Sequence, residues 1–191
     1  IFPRDAQEII TNTLKIAGST FSCVAAPIQY ATIAAYSMDD EIEKYMDDCT
    51  RVHKLVGEKT AELILDIPGV TTSNPRGAFY LFVDFNDHRD NFFKLGINSC
   101  AEFCKHLLKV EHTALLSGES LLLFKDQFAV RASYVDYDGD KVLEALKREN
   151  PTTSSEKDKF FQKYCPLIYK GVENVARYME QVRKLKMPVH V

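Results

Sequence analysis

An arginine, Arg131, stands at the centre of an apolar, β-prone run, "FAVRASY", at residues 128–134. A guanidinium is a planar cation whose N–H fork matches a carboxylate and forms charge-assisted hydrogen bonds with it. One interpretation is that Arg131 faces a cleft and binds an anionic ligand. The other is that its aliphatic stem covers apolar surface while its head reaches solvent at a sheet edge. From the residues alone both interpretations stay open, and the second is the commoner arrangement for an arginine.

Other residue types that could do chemistry carry weaker signals. Cys100 and Cys104 lie four residues apart with His106 nearby, but a zinc site needs more ligands at suitable spacing. Packing explains this pair better, and we predict no metal site. The sequence contains no Walker A loop, G-x-G-x-x-G, H-E-x-x-H or G-x-S-x-G motif. Its five cysteines, an odd number at irregular spacing, indicate reduced thiols.

The elements that must position Arg131 follow from periodicity and turn residues. Apolar residues recur at helical spacing through residues 39–65, which predicts a long amphipathic helix. The aromatic and β-branched run at 77–85 is the clearest strand, and its near-continuous apolar character predicts burial on both faces. The other predicted elements are strands at 113–116 and 127–134, and helices at 5–17, 29–36, 99–110 and 141–147.

This order predicts an α/β fold. A small sheet of three to four strands is flanked by helices, with a long connecting helix on its N-terminal side. The stretch "ENPTTSSEKD", which begins at Glu149, has the composition of a linker. A terminal helical segment follows it, and we expect Pro166 to kink or interrupt that segment because proline cannot sit unstrained inside a helix.

Composition narrows the class of protein. The length of 191 residues suits one domain, or one domain with an appended element. A net charge of -3 argues against a nucleic-acid partner, whose binding depends on clustered Lys and Arg. No apolar run is long enough for a membrane span, so we predict no membrane partner, and no signal peptide is visible. The reduced thiols favour a cytoplasmic location. The chain opens "IFPRDAQEII" without an initiator methionine, and we therefore expect a piece of a longer protein.

Several motifs occur in a specific order. They are "TFSCVAAPIQYA" at 20–31, the long helix, "NPRGAFYLFVDF" at 74–85, "FAVRASY" at 128–134 and "DGDKVLEALKR" at 138–148. In this order they resemble the C-terminal portion of class I/II aminotransferases, which are pyridoxal-phosphate enzymes of the aspartate aminotransferase fold type. The resemblance covers roughly residues 1–150.

The resemblance implies a domain organisation and two site residues. Residues 1–37 would be the helical end of the large, cofactor-binding domain, residues 38–150 the long helix plus the small C-terminal domain, and residues 151–191 a terminal helical extension. Arg131 matches the family's arginine that binds the substrate's α-carboxylate. Gly118 matches the glycine of a loop that shapes the substrate pocket, although Ser117 replaces the family's proline and the following Phe-Gly is absent.

The resemblance also implies a reaction. The intact protein would be a homodimer that uses pyridoxal 5'-phosphate to transfer an amino group between an amino acid and a 2-oxo acid. The family's Schiff-base lysine lies in a Ser-x-x-Lys segment upstream of the matched region, and Lys15 does not lie in that context. We therefore expect no catalytic and no cofactor-binding residue in this chain, which alone should be inactive.

Two other functions stay open from the residues. One is a pyridoxal-phosphate lyase of the same fold, because the groups that set the reaction type surround the cofactor. The other is a degenerate, non-catalytic interaction domain, which the altered loop at 117–124 would favour.

Overall fold

The computed structural model describes residues 6–20, 24–37 and 39–185. The chain divides into two compact units, residues 1–46 and residues 47–191. The helices are α1 (Gln7–Thr20), α2 (Ala26–Ala35), α3 (Asp40–Leu65), α4 (Arg89–Lys94), α5 (Cys100–Glu111), α6 (Gly139–Glu149), α7 (Ser154–Tyr164) and α8 (Pro166–Arg183). The strands are β1 (Thr71–Thr72), β2 (Tyr80–Asp84), β3 (Leu116–Ser117) and β4 (Ala129–Ser133).

The first unit contains α1, α2 and the start of α3. Pro27 lies in the first turn of α2, where its missing N–H would have no helical partner in any case. Neither α1 nor α2 buries a side chain among the described residues. Their large exposed apolar side chains are Ile9, Leu14, Ile16, Ile28, Tyr30 and Ile33.

The second unit is built on a four-stranded antiparallel sheet with strand order β1-β2-β4-β3. This confirms the predicted α/β fold with a small sheet flanked by helices. The long helix predicted at 39–65 is confirmed as α3. The strands are shorter than predicted, and β1 was not predicted because two residues carry no periodic signal. None of the helices in the described ranges is both long and apolar enough to cross a membrane.

The two faces of the sheet have different environments. Alternate side chains of β2 and β4 (Leu81, Val83, Val130 and Ala132) are buried in the main core, which they share with helical residues. On the other face Phe82 is 45% exposed. The prediction that the strand at 77–85 is buried on both faces is therefore wrong. An apolar strand cannot by itself supply a covering layer for each of its faces, so its burial depends on the elements that pack against it.

The centre of the core is a cluster of aromatic rings around Phe103 of α5. The ring centroid of Phe103 lies 5.0 Å from that of Phe85, 4.9 Å from Phe92, 6.4 Å from Phe128 and 5.8 Å from Tyr178. These residues come from separate elements, so a single side chain joins the ends of β2 and β4 to α4 and α8. Tilted ring pairs at these distances add stabilisation beyond the burial of apolar area.

The stretch with linker composition is the N-terminal cap of α7. Thr153 and Glu156 form a capping box, in which each side chain accepts a hydrogen bond from the other residue's backbone N–H. The N–H groups of Thr153 and Thr152 lower the pKa of Glu156 to about 2. As predicted, Pro166 interrupts the terminal segment: α7 ends at Tyr164 and α8 begins at Pro166.

A buried lysine of α3 forms an ion pair and a hydrogen bond with α7. Lys59 has a side chain that is only 6% exposed, and its Nζ lies 2.6 Å from Glu62 and 2.8 Å from Asp158. It also donates to the hydroxyl of Ser154 at 3.2 Å. Burial opposes the charge of Lys59, but the hydrogen bonds to Asp158 and Glu62 outweigh it and raise its pKa above the ordinary value of 10.5.

The raised pKa of Lys59 predicts how stability depends on pH. A group whose pKa is higher in the folded state stabilises that state fully below its unfolded pKa and loses this effect as pH rises through the folded pKa. We expect Lys59→Met to lower the free energy of unfolding by about 1 kcal/mol near pH 7, because the partner carboxylates stay solvated. The difference from the unmodified chain should shrink above pH 10.5.

Urea unfolding of both chains from about pH 7 to 11 measures this difference. Lys170→Met is the matched control, since Lys170 forms an exposed pair with Glu173. Its effect should stay within about 0.5 kcal/mol at every pH. If the difference in the free energy of unfolding between Lys59→Met and the unmodified chain stayed constant across this pH range, a stabilising role of the Lys59 charge would be contradicted.

Candidate functional site

Strand pairing places Arg131 on the half-open face of the sheet. In β4 it lies directly opposite Phe82 of β2 and Leu116 of β3. Directly opposed residues point to the same face, because side chains alternate along each strand. The other residues that the register assigns to this face are Thr71, Tyr80, Asp84, Ala129 and Ser133. The surface around Arg131 thus combines aromatic and apolar side chains with two small hydroxyl residues, one cation and one carboxylate.

The guanidinium of Arg131 keeps its hydrogen-bonding capacity. The side chain is half-buried, and its Cζ lies over the ring of Tyr80, 4.2 Å from the centroid. Within residues 6–20, 24–37 and 39–185 it forms no ion pair and no side-chain hydrogen bond. All five N–H donors of an arginine are therefore available to a ligand.

The position of Arg131 bears on the two interpretations of the sequence. β4 lies between β2 and β3, so Arg131 is not on an edge strand. The interpretation that its head reaches solvent at a sheet edge is therefore wrong. Its unpaired N–H groups are what an anion site requires. That Arg131 binds a substrate carboxylate stays a prediction.

Two cavities lie elsewhere in the second unit. The larger, about 640 Å³, is lined by Val83 and Ala132 from the buried face of the sheet and by Ile168 and Val175 of α8. The other, about 390 Å³, lies between the end of α3 and α8. Arg131 lines neither of them.

Gly118 lies in a tightly packed loop next to β4. A Cβ on Gly118 would come within 2.6 Å of the carbonyl oxygen of Ala129 and 2.7 Å of Leu123 Cδ1, so only glycine fits without movement. The loop is joined to the start of α5, because Ala101 N–H donates to Glu119 Oε1 at 2.8 Å. That Gly118 shapes a substrate pocket stays a prediction.

The loop also carries apolar side chains into solvent. Leu122, which has a positive φ of 66°, is 96% exposed, and Phe124 is 77% exposed. In sequence this segment lacks the Phe-Gly of the resembled family's loop, in a region expected to influence substrate preference.

The cysteine pair near the start of α5 belongs to the core. Cys100 and Cys104 are buried free thiols, and the thiol of Cys100 donates to the carbonyl of Ala129 at 3.1 Å. His106 Nδ1 lies 2.9 Å from the hydroxyl of Tyr178, and burial lowers the pKa of His106. Across the described ranges, no cluster of three or more His, Cys, Asp or Glu side chains could hold a metal ion.

The face around Arg131 does not fit pyridoxal phosphate by itself. A Schiff base needs a lysine amine, and the residues that the register assigns to this face in the described part of the chain include no lysine. Lys15 lies on α1 with an exposed side chain.

No protein-family model matches this sequence. The sequence is 31% identical over 144 residues to an aspartate aminotransferase of Thermotoga maritima, and the aligned region covers 75% of this chain and 32% of that protein. It is also 29% identical over 143 residues to an aspartate aminotransferase of Bacillus subtilis, where the aligned region covers 75% of this chain and 34% of that protein. The chain thus spans about a third of the length of these relatives.

The fold of this chain is similar to the crystal structure of the aspartate aminotransferase from Thermotoga maritima, with a TM-score of 0.56 and 20% sequence identity. The match covers 92% of this chain and 34% of that structure. At this level of identity the structural match establishes the fold alone.

Together these findings show that the chain has an α/β fold of the aspartate aminotransferase type. The resemblance to class I/II pyridoxal-phosphate-dependent aminotransferases is confirmed over most of the chain by curated relatives and structural neighbours. The matched share of each relative agrees with a portion of such an enzyme.

One residue of the candidate site was not found from the sequence. Tyr80 was assigned to a strand, but its contact with Arg131 depends on how β2 pairs with β4. The signal in the sequence was the alternation of β2, which assigns Tyr80 and Phe82 to one face. It could not reveal which residue of another strand lies on that face.

Proposed function

We propose that this chain is the C-terminal part of a pyridoxal-phosphate-dependent aminotransferase that transfers an amino group between an amino acid and a 2-oxo acid. In this proposal Arg131 binds the substrate carboxylate. The main support is that Arg131, at the motif position of the family's carboxylate-binding arginine, has unpaired N–H groups in the described part of the chain. The aminotransferase names of the curated relatives support the same class of reaction.

The chemistry of Arg131 suits this role. A guanidinium can donate two parallel hydrogen bonds to one carboxylate, which fixes both the position and the orientation of the acid group. Holding the carboxylate fixes the direction of the substrate's Cα bonds relative to the reacting partner. A lysine would attract the same anion as a point charge without defining its orientation.

Pyridoxal phosphate, when bound, supplies an electron sink for the bonds at the substrate's Cα. We propose that the lysine and the phosphate-binding groups come from the part of the relatives' length that this chain does not span. The chain alone would then be inactive.

The same proposal extends to the organisation of the intact protein. Residues 1–37 would belong to the large domain, and the exposed apolar side chains of α1 and α2 support this because such surfaces usually contact other protein. Residues 38–150 would form the connecting helix with the small domain, and residues 151–191 a terminal extension. We propose a cytoplasmic homodimer that acts on small amino and oxo acids.

Cofactor binding tests the proposal directly. We expect the intact protein to turn yellow with added pyridoxal phosphate and the 191-residue chain to show no specific visible absorption. Absorption spectra and an assay for 2-oxo acid formation, run on both proteins, measure this. An intact protein that binds the cofactor but releases ammonia without consuming a 2-oxo acid would be a lyase. An intact protein that binds no cofactor would be a non-catalytic relative.

A further inference from the structure

Tyr80 contacts the guanidinium of Arg131 through its ring face. The distance from Arg131 Cζ to the Tyr80 centroid is 4.2 Å, which is a cation–π contact. No hydrogen bond or ion pair of the Arg131 side chain accompanies it within residues 6–20, 24–37 and 39–185. We propose that Tyr80 is the positioning residue for Arg131 and holds the guanidinium in a fixed orientation for a carboxylate ligand. This inference deepens the proposed function and rests on it.

A ring is suited to this task because it leaves the donors unused. All N–H groups of a guanidinium lie in its plane and point outward from its edge. A carboxylate partner within the protein would occupy that edge and compete with a substrate. Tyr80 instead contacts the planar cation through its π-face, so it can restrain Arg131 without consuming a hydrogen bond.

The ring of Tyr80 is itself held by neighbouring rings. Its centroid lies 4.4 Å from that of Phe79, and Phe79 lies 6.1 Å from His53 of α3. A hydrogen bond of 3.1 Å joins His53 Nδ1 to the hydroxyl of Tyr137. Burial raises the pKa of Tyr137 to about 12, so this hydroxyl stays protonated near neutral pH. Contacts between successive rings therefore run from α3 to the guanidinium.

The backbone before Tyr80 is fixed by Tyr134, the residue that follows β4. Tyr134 donates its N–H to the carbonyl of Phe79 at 3.2 Å and its hydroxyl to the carbonyl of Ala78 at 3.0 Å. Ala78 adopts φ 56°, a left-handed conformation that is strained for an L-residue. These hydrogen bonds hold that conformation, and with it the position at which β2 begins.

The inference predicts that removing the ring at Tyr80 loosens Arg131. In the 191-residue chain, Tyr80→Leu should lower the NMR order parameter of the Arg131 Nε–H, whereas Tyr80→Phe should keep it. In the intact aminotransferase, Tyr80→Leu should raise KM for the amino acid about three-fold. Tyr80→Phe should restore KM, and kcat should change less than KM in both variants.

Phe82→Leu is the matched control for the NMR measurement. Phe82 lies directly opposite Arg131, but the guanidinium lies over the ring of Tyr80 and not over that of Phe82. Its loss should leave the Arg131 order parameter unchanged. Retained order in Tyr80→Leu would overturn the inference whatever the activity of the intact protein. Lost order together with an intact protein that has no aminotransferase activity would refute the proposed function and leave the positioning of Arg131 by Tyr80 standing.

Discussion

Replacing Arg131 by leucine in the intact protein is expected to lower kcat/KM for amino-acid donors by about 30- to 1000-fold, or about 2–4 kcal/mol of transition-state stabilisation. Leucine keeps the apolar stem that faces Phe82 and Leu116 but removes the charged fork. The fall in kcat/KM should be similar for monocarboxylic and dicarboxylic substrates, because both carry the α-carboxylate. Steady-state kinetics with one donor of each kind measures the effect.

Two further variants make the Arg131 result specific. Arg131→Lys keeps the charge without the fork and should fall between the leucine variant and the unmodified protein. Arg89→Leu is the control, because Arg89 is an exposed arginine that pairs with Asp126 and lies over Phe93. It should leave kcat/KM within about two-fold. Unchanged kinetics in Arg131→Leu would refute the assignment of the carboxylate site.

Replacing Phe103 by alanine is expected to lower the free energy of unfolding by about 3–5 kcal/mol. Phe103 is fully buried, and its ring contacts Phe85, Phe92, Phe128 and Tyr178. Alanine would leave a cavity that rings from four different elements cannot easily fill. Since small domains are stable by only about 5–15 kcal/mol, the variant should lie close to the unfolding threshold.

Urea denaturation followed by circular dichroism measures the loss in Phe103→Ala. Phe93→Ala is the matched control, because Phe93 is 38% exposed and borders the same cluster, with its ring 5.8 Å from that of Phe128. It should lose about 1 kcal/mol, since less area leaves water on folding. Equal losses in the two variants would show that Phe103 is not the centre of the core.

Several local features could be predicted because short-range rules determine them. Apolar residues at spacings of three and four define a helix face, and α3 lies within one residue of the predicted range. Pro166 lacks the N–H that a continuing helix would need, so the terminal segment divides there. The capping box of α7 lies within the stretch that has linker composition. Thr, Ser and Glu are common in both linkers and helix caps, so composition alone does not distinguish the two.

The local helices and strands could be read from the sequence because each depends on residues close together in the chain. The resemblance to the aminotransferase fold rested instead on the order of motifs spread over residues 20–148. Three features became known only from the folded chain: which face of β2 is buried, that Arg131 lies on an inner strand, and that Tyr80 stacks on it. Strand pairing joins residues far apart in sequence, so no local pattern specifies these contacts. A shift of one residue in register would move every side chain of the strand to the other face.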